Sequence, residues 1–323
     1  NLRRAGKLTR LNQKLTVKWK IVFVAFQILY TMPSMMPGTR FPTAYKSLYM
    51  AFDIVTLDLG AALPLQCLDL VGGGAAFYRA LLAMTLGPGA FIVLAMSLAF
   101  AIHLVHGYVM SRGEVRRALI SVTILVTYLL LPAVTTTIVR AFPCDEFDDP
   151  RGSDRRIPYL VADLSIRCDS TTHRTYMVYA ALALVAWPVG VPLVTFFVLF
   201  HYRDHLNPVV DHEGIGRRKA RRSYDHRLDY LVLREQAQEA RARDEKIQHL
   251  QLLYGPYEPE YFYWEVFEML RRLMLTSGLL LVGDGPLVKV FFAIVVALAT
   301  QKASAGSGLD TRTRSPRRRT AAA

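Results

Sequence analysis

The sequence predicts an all-α fold, a polytopic transmembrane helical bundle of about six spans with an extracellular cysteine-containing loop and a cytosolic helix. Three observations predict it. Hydrophobic residues make up 52% of the 323 positions, and the mean hydropathy is positive. Apolar runs reach the length of about 20 residues that crosses a hydrocarbon core of about 30 Å. Lysine and arginine gather on alternate connecting segments, as the positive-inside rule requires.

The elements follow in chain order. Residues 1–16 form a basic cytosolic segment without an acid. It does not lead into a small-residue cleavage site, so it is not read as a signal peptide, and the chain is read as part of a longer polypeptide. The spans are placed at 17–36, 78–109, 118–139, 176–200, 264–282 and 286–300. Backbone in lipid must satisfy its own hydrogen bonds, which makes each span a helix. The second is expected to break at Gly87-Pro88-Gly89, and the last is short and carries Lys289. Residues 47–65 are apolar but hold Asp53 and Asp58. A carboxylate at the bilayer centre costs about 3 kcal/mol, so this segment is read as an amphipathic helix on the outer surface. An outer loop spans 142–175 and a cytosolic segment spans 202–260, with a helix expected over 228–253. Residues 301–323 read as a disordered basic tail.

With the N-terminus inside, the inner segments hold 27 Lys and Arg and the outer segments hold 7. The net charge of +13 is therefore explained by topology, and a nucleic-acid partner is not expected. Lipid is the expected partner, and self-association is left open.

Candidate sites are few. Cys144 and Cys168 bracket the outer loop and are the disulfide candidates, with Cys67 as an alternative partner for either. Disulfides persist on the outer side, and sequence does not settle the pairing. No metal site is expected, because no Cys or His pair stands at ligand spacing near them. Asp145, Glu146, Asp148, Asp149 and Asp154 make the loop acidic without matching a calcium-loop pattern. His103 and His106 are read as interfacial. Pro188, Gly190 and Pro192 mark a helix break at the middle of the fourth span, either a repaired kink or a substrate hinge. Glu265, Glu268, Arg271 and Arg272 form an ion-pair cluster at the inner interface, with Glu268 expected to pair with Arg271 or Arg272 by spacing.

An ordered set of short pieces carries a family resemblance. They are Lys20-Ile21-Val22-Phe23 with Phe26-Gln27, Leu57-Asp58 with Leu63-Pro64 and Cys67, Phe142-Pro143-Cys144, and Tyr159-Leu160-Val161-Ala162-Asp163 with Cys168. Pro188-Val189-Gly190-Val191-Pro192 follows, then Leu253-Tyr254, Tyr257, Pro259, Trp264-Glu265, Glu268 and Arg271-Arg272-Leu273. Together they resemble the TRP-channel-like membrane region of large algal, oomycete and other protist surface proteins, over about residues 17–298. The resemblance implies an ectodomain and one more span upstream, a longer last span, and a plasma-membrane location. The tail from Lys302 departs from the family pattern.

The residues restrict the channel idea. Only Gly283-Asp284-Gly285 separates the last two spans, which leaves no room for a re-entrant selectivity filter. The function expected is a signalling or channel-like module anchoring a surface ectodomain. A transporter built on the fourth span is the alternative. No enzyme is expected, because no catalytic triad, metalloprotease or nucleotide-binding motif is present, and no cofactor is expected.

Overall fold

A computed structural model of the chain describes residues 18–20, 22–29, 42–45, 76–106, 112–148, 156–208, 236–282 and 285–306. The fold is mostly helical. Residues 18–20 and 22–29 are helical. Helix α1 is Ala76–His106 and α2 is Arg112–Val139. Three strands follow, β1 (Cys144–Asp148), β2 (Arg156–Leu160) and β3 (Asp163–Arg167). Helix α3 (Thr171–Leu184) passes through a π-helical turn, Val185–Gly190, into α4 (Val191–His201). Helix α5 is Trp264–Leu275 and α6 is Pro286–Gly306.

Three of these stretches are long and apolar enough to cross a membrane: Ala76–Leu98, Gly113–Val139 and Thr171–His201. Their apolar side chains turn outward. Phe91, Val93, Leu94 and Phe100 on α1 are exposed, as are Val178, Leu182, Leu193 and Phe197 on α3 and α4. Water would not tolerate a continuous apolar exterior of this kind, whereas lipid solvates it. The molecule is a membrane protein on that ground.

The inner packing divides by depth. Leu81, Met84, Val134, Ile138 and Ala180 join α1, α2 and α3 near one end. Tyr78, Leu160 and Ile166 seal the sheet onto that same end. Tyr128, Leu199, Leu206, Ile247, Leu250 and Leu253 close the opposite end. The sheet and the segment 236–261 thus stand at opposite ends of the bundle. Progressive contacts set the directions of the helices. Ser121 donates to the His249 carbonyl at 3.3 Å, and the Thr136 and Ser277 hydroxyls meet at 3.2 Å. Chain positions rise together along this face, so α5 runs parallel to α2.

The structure corrects several expectations. The fold is not purely α, because the expected outer loop folds into an antiparallel sheet of order β1-β2-β3. Its first strand pairs Cys144 with Leu160 and Asp148 with Arg156. Four of the five β1 side chains are exposed, so the strand carries no apolar alternation to read. The expected break at Gly87-Pro88-Gly89 is absent, and α1 runs through Pro88. One lost hydrogen bond there costs less than exposing several backbone groups to lipid.

The expected fifth span is interrupted. Thr276 (φ −104°, ψ −87°) leaves the helical region, and only a four-residue turn, Gly278–Leu281, follows. The Thr276 hydroxyl donates to the Arg272 carbonyl at 2.8 Å, the same carbonyl its own N–H caps. The last helix extends to Gly306, beyond the point where a disordered tail was expected, and its Lys289 is buried. The expected helix over 228–253 is described from residue 236 and ends at 243. Asp244 stops it by accepting from the Lys246 N–H at 2.9 Å. Cys67, residues 47–65, Asp149, Asp154 and the tail after 306 lie outside the described residues, as do the side chains of His103 and His106.

Candidate functional site

A buried ionic network joins Lys20 and Gln27 to α2 and α5. Helix α5 supplies Glu265 and Arg272, seven residues and about two turns apart, hence on one stripe. Both are buried: Glu265 is 0% exposed and Arg272 2%. The Glu265 carboxylate forms a salt bridge with the Lys20 ammonium, which also donates to the Leu252 carbonyl at 3.4 Å. Arg272 donates to the Gln27 amide oxygen, and the Gln27 amide nitrogen donates to the Leu129 carbonyl at 2.7 Å.

Tyr128 is the platform between the two cations. Lys20 lies 4.8 Å from its ring centroid and Arg272 lies 4.3 Å from it. An aromatic face attracts both through its quadrupole. Tyr128 Oη and Glu265 Oε1 are buried without a hydrogen-bond partner. The Tyr257 phenol is a further hydrogen-bonding neighbour of the Glu265 carboxylate.

The segment before α5 presents a second tyrosine. Arg241 stacks on the Tyr254 ring at 4.7 Å and donates to the Tyr257 carbonyl at 2.7 Å. Burial pushes its guanidinium down to about 10. The turn needs Gly255, because a Cβ there would meet the Gln251 carbonyl oxygen at 2.6 Å. This clamp sets Tyr257 beside Lys20, 5.9 Å from its ring. Burial, and next the Glu265 and Glu268 carboxylates, hold the Tyr257 phenol well above its usual range. It therefore stays neutral.

The four charges expected to cluster together divide between two faces. Glu268 and Arg271 form a bidentate pair on a half-buried face. Glu265 and Arg272 turn inward to partners some 245 positions away. Sequence spacing could not have separated them, because Glu268 lies three residues after Glu265 and four before Arg272, intervals that share a helical face as seven does. Lys20, Gln27 and Tyr128 had no sequence signal. The network lies toward the end of the bundle that the segment 236–261 closes, because Tyr128 packs with Ile247, Leu250 and Leu253 and Lys20 reaches the Leu252 carbonyl.

The Pro188–Gly190–Pro192 stretch is not a break. The chain winds one wide turn and resumes as α4, with Pro192 near the start of that helix, where its missing N–H costs little. Trp187 packs against the α1–α2–α3 core from this turn. A Cβ at Gly190 would come within 3.3 Å of the Val185 carbonyl oxygen.

At the sheet end, Cys144 and Cys168 are joined by a disulfide, 24 positions apart. Ser170 caps α3 by accepting from the His173 N–H at 3.2 Å. Replacing both cysteines by serine should lower stability by about 3 kcal/mol, the closure term for a loop of this length. Denaturation of the purified variant under oxidising conditions reads it, and an unchanged midpoint would mean the sheet alone fixes the loop.

Compared with known proteins, the chain matches no family model, no curated relative and no solved structure.

Proposed function

We propose that this chain is a channel-like signalling module of the TRP-like kind, anchoring a surface ectodomain in the plasma membrane. One observation carries the reading: a carboxylate, two cations and the Tyr128 phenol packed together between helices, next to the end that 236–261 closes. Buried ionisable groups are costly, and where they occur within a membrane bundle they line ion pathways or form switchable pairs. Here Glu265 and the unpartnered Tyr128 hydroxyl are the permeation-facing groups, and Lys20 and Arg272 set the resting charge.

The six-span layout belongs to the same proposal. Residues 22–29, α2 and α5 run one way, and α1 and α3–α4 run the other, which suits alternating spans with 236–261 inside. Helix α6 packs on α5 and supplies the last span. The module is read as non-enzymatic, free of cofactors and able to self-associate.

Reconstitution into liposomes tests it. A monovalent-cation flux is expected, and Glu265→Gln should reduce it at least about tenfold, because neutralising the carboxylate leaves the two cations to repel the ion. No flux in either protein would overturn the channel reading. Saturable solute uptake without ion leak would favour a transporter instead, a reading supported by the π turn at Val185–Gly190, since such turns often mark functional sites.

A further inference from the structure

The disulfide corner holds more than a strap. His173 is fully buried, the third residue of α3 and five positions after Cys168. Its Nδ1 shares a 3.1 Å hydrogen bond with the Tyr78 hydroxyl, and its Nε2 has no partner. A buried imidazole nitrogen left unpaired is expensive. A ligand atom of His173 and the sulfurs of Cys144 and Cys168 lie within 4.8 Å of one another. The sheet fixes this arrangement, because the Cys168 N–H donates to the Pro158 carbonyl at 2.9 Å and Cys144 pairs with Leu160.

We propose that Cys144, Cys168 and His173 form a redox-gated metal site that takes one zinc-class divalent ion when the disulfide is reduced. The reductant is a dithiol. It passes two electrons and two protons to the disulfide, giving two cysteine thiols and leaving as its own cyclic disulfide. The metal then displaces both thiol protons to solvent and binds two thiolates. Two sulfurs and one imidazole are a known zinc donor set, with Zn–S near 2.3 Å and Zn–N near 2.0–2.1 Å, and the fourth position open to water. Both cysteines are half-buried, so solvent can reach that position. With Nδ1–H donating to Tyr78, the Nε2 lone pair is free for the metal, and the tyrosine orients the ring as an outer-shell partner does. The start of α3 adds a positive helix end that favours the thiolates.

The site was not visible in the sequence because cysteines 24 apart and a histidine beyond them match no ligand spacing. The strand pairing of β1 with β2 brings them together.

Cobalt(II) reads the proposal in the full chain, reconstituted in nanodiscs with Cys67→Ser to remove the third thiol. After reduction with a phosphine, one equivalent of Co2+ should bind, with thiolate-to-cobalt charge transfer in the ultraviolet and tetrahedral bands in the visible. The oxidised chain should give neither. His173→Gln should abolish the tetrahedral bands, and Tyr78→Phe should weaken binding about tenfold. Circular dichroism checks that each variant is folded. If the reduced Cys67→Ser chain takes up no Co2+, or if His173→Gln binds it with the same spectrum and affinity, the proposal is wrong. The first outcome is independent of any change at His173.

Discussion

Glu265→Leu should be the most destabilising single substitution among the charged residues, at about 3–5 kcal/mol. The carboxylate is fully buried and its partner Lys20 is nearly so, with 10% of its side chain exposed. Removing it leaves Lys20 and Arg272 facing the same Tyr128 ring without a counter-charge. Lys20→Met should cost less, because Glu265 keeps Arg272 as a nearby cation. Combining Lys20→Met with Glu265→Leu should recover most of the loss, since an apolar pair avoids the desolvation of two charges. Glu268→Ala should cost under about 1 kcal/mol, the range of solvent-accessible pairs, because its pair with Arg271 is part-exposed, at 23% and 25%. Thermal and denaturant midpoints of the purified variants decide the order. A double variant weaker than Glu265→Leu would show that Lys20 has another role in the fold.

An all-or-none result is expected for sidedness. The sheet and the segment 236–261 occupy opposite ends of the bundle, so cysteines introduced at Ser165 and at Lys246 report opposite compartments. Both positions are exposed. In a Cys67→Ser background, a membrane-impermeant maleimide should label Ser165→Cys in intact cells. It should label Lys246→Cys only after permeabilisation. The charge bias makes the direction specific, because 11 of the inner Lys and Arg lie in 202–260. Reversed labelling would invert the orientation, and labelling of both from outside would mean the two ends share a compartment.

What the sequence made legible was governed by length and charge. The three apolar helices could be read because lipid demands an unbroken run of about 20 residues. The irregularity around Pro188 was also visible, though not that it would widen into a π turn. The sheet was hidden because β1 carries Asp145, Glu146 and Asp148, residues that also suit a solvated loop. The end of α5 was hidden because Thr276 is unremarkable until its hydroxyl reaches the Arg272 carbonyl. The inner site was half legible. Glu265 and Arg272 stood out as charges beside an apolar run, and Glu268 with Arg271 could be paired by spacing. Lys20, Gln27 and Tyr128 belong to the site only through tertiary packing, which no local pattern encodes.

The bridge between Lys20 and Glu265 spans 245 positions, and that separation orders events during synthesis. A ribosome adding about 5–20 residues per second takes some tens of seconds to travel from one partner to the other. Throughout that interval the ammonium is already made and its carboxylate does not exist. A lysine buried in lipid without a counter-charge costs about 3 kcal/mol, so on the proposed layout the segment carrying Lys20 is held near the interface until Glu265 is made. The arrival of α5 then supplies the counter-charge, and the segment carrying Lys20 can settle after α5 although it is made before it. A nascent chain ending before Trp264 would therefore still carry an unsettled Lys20 segment.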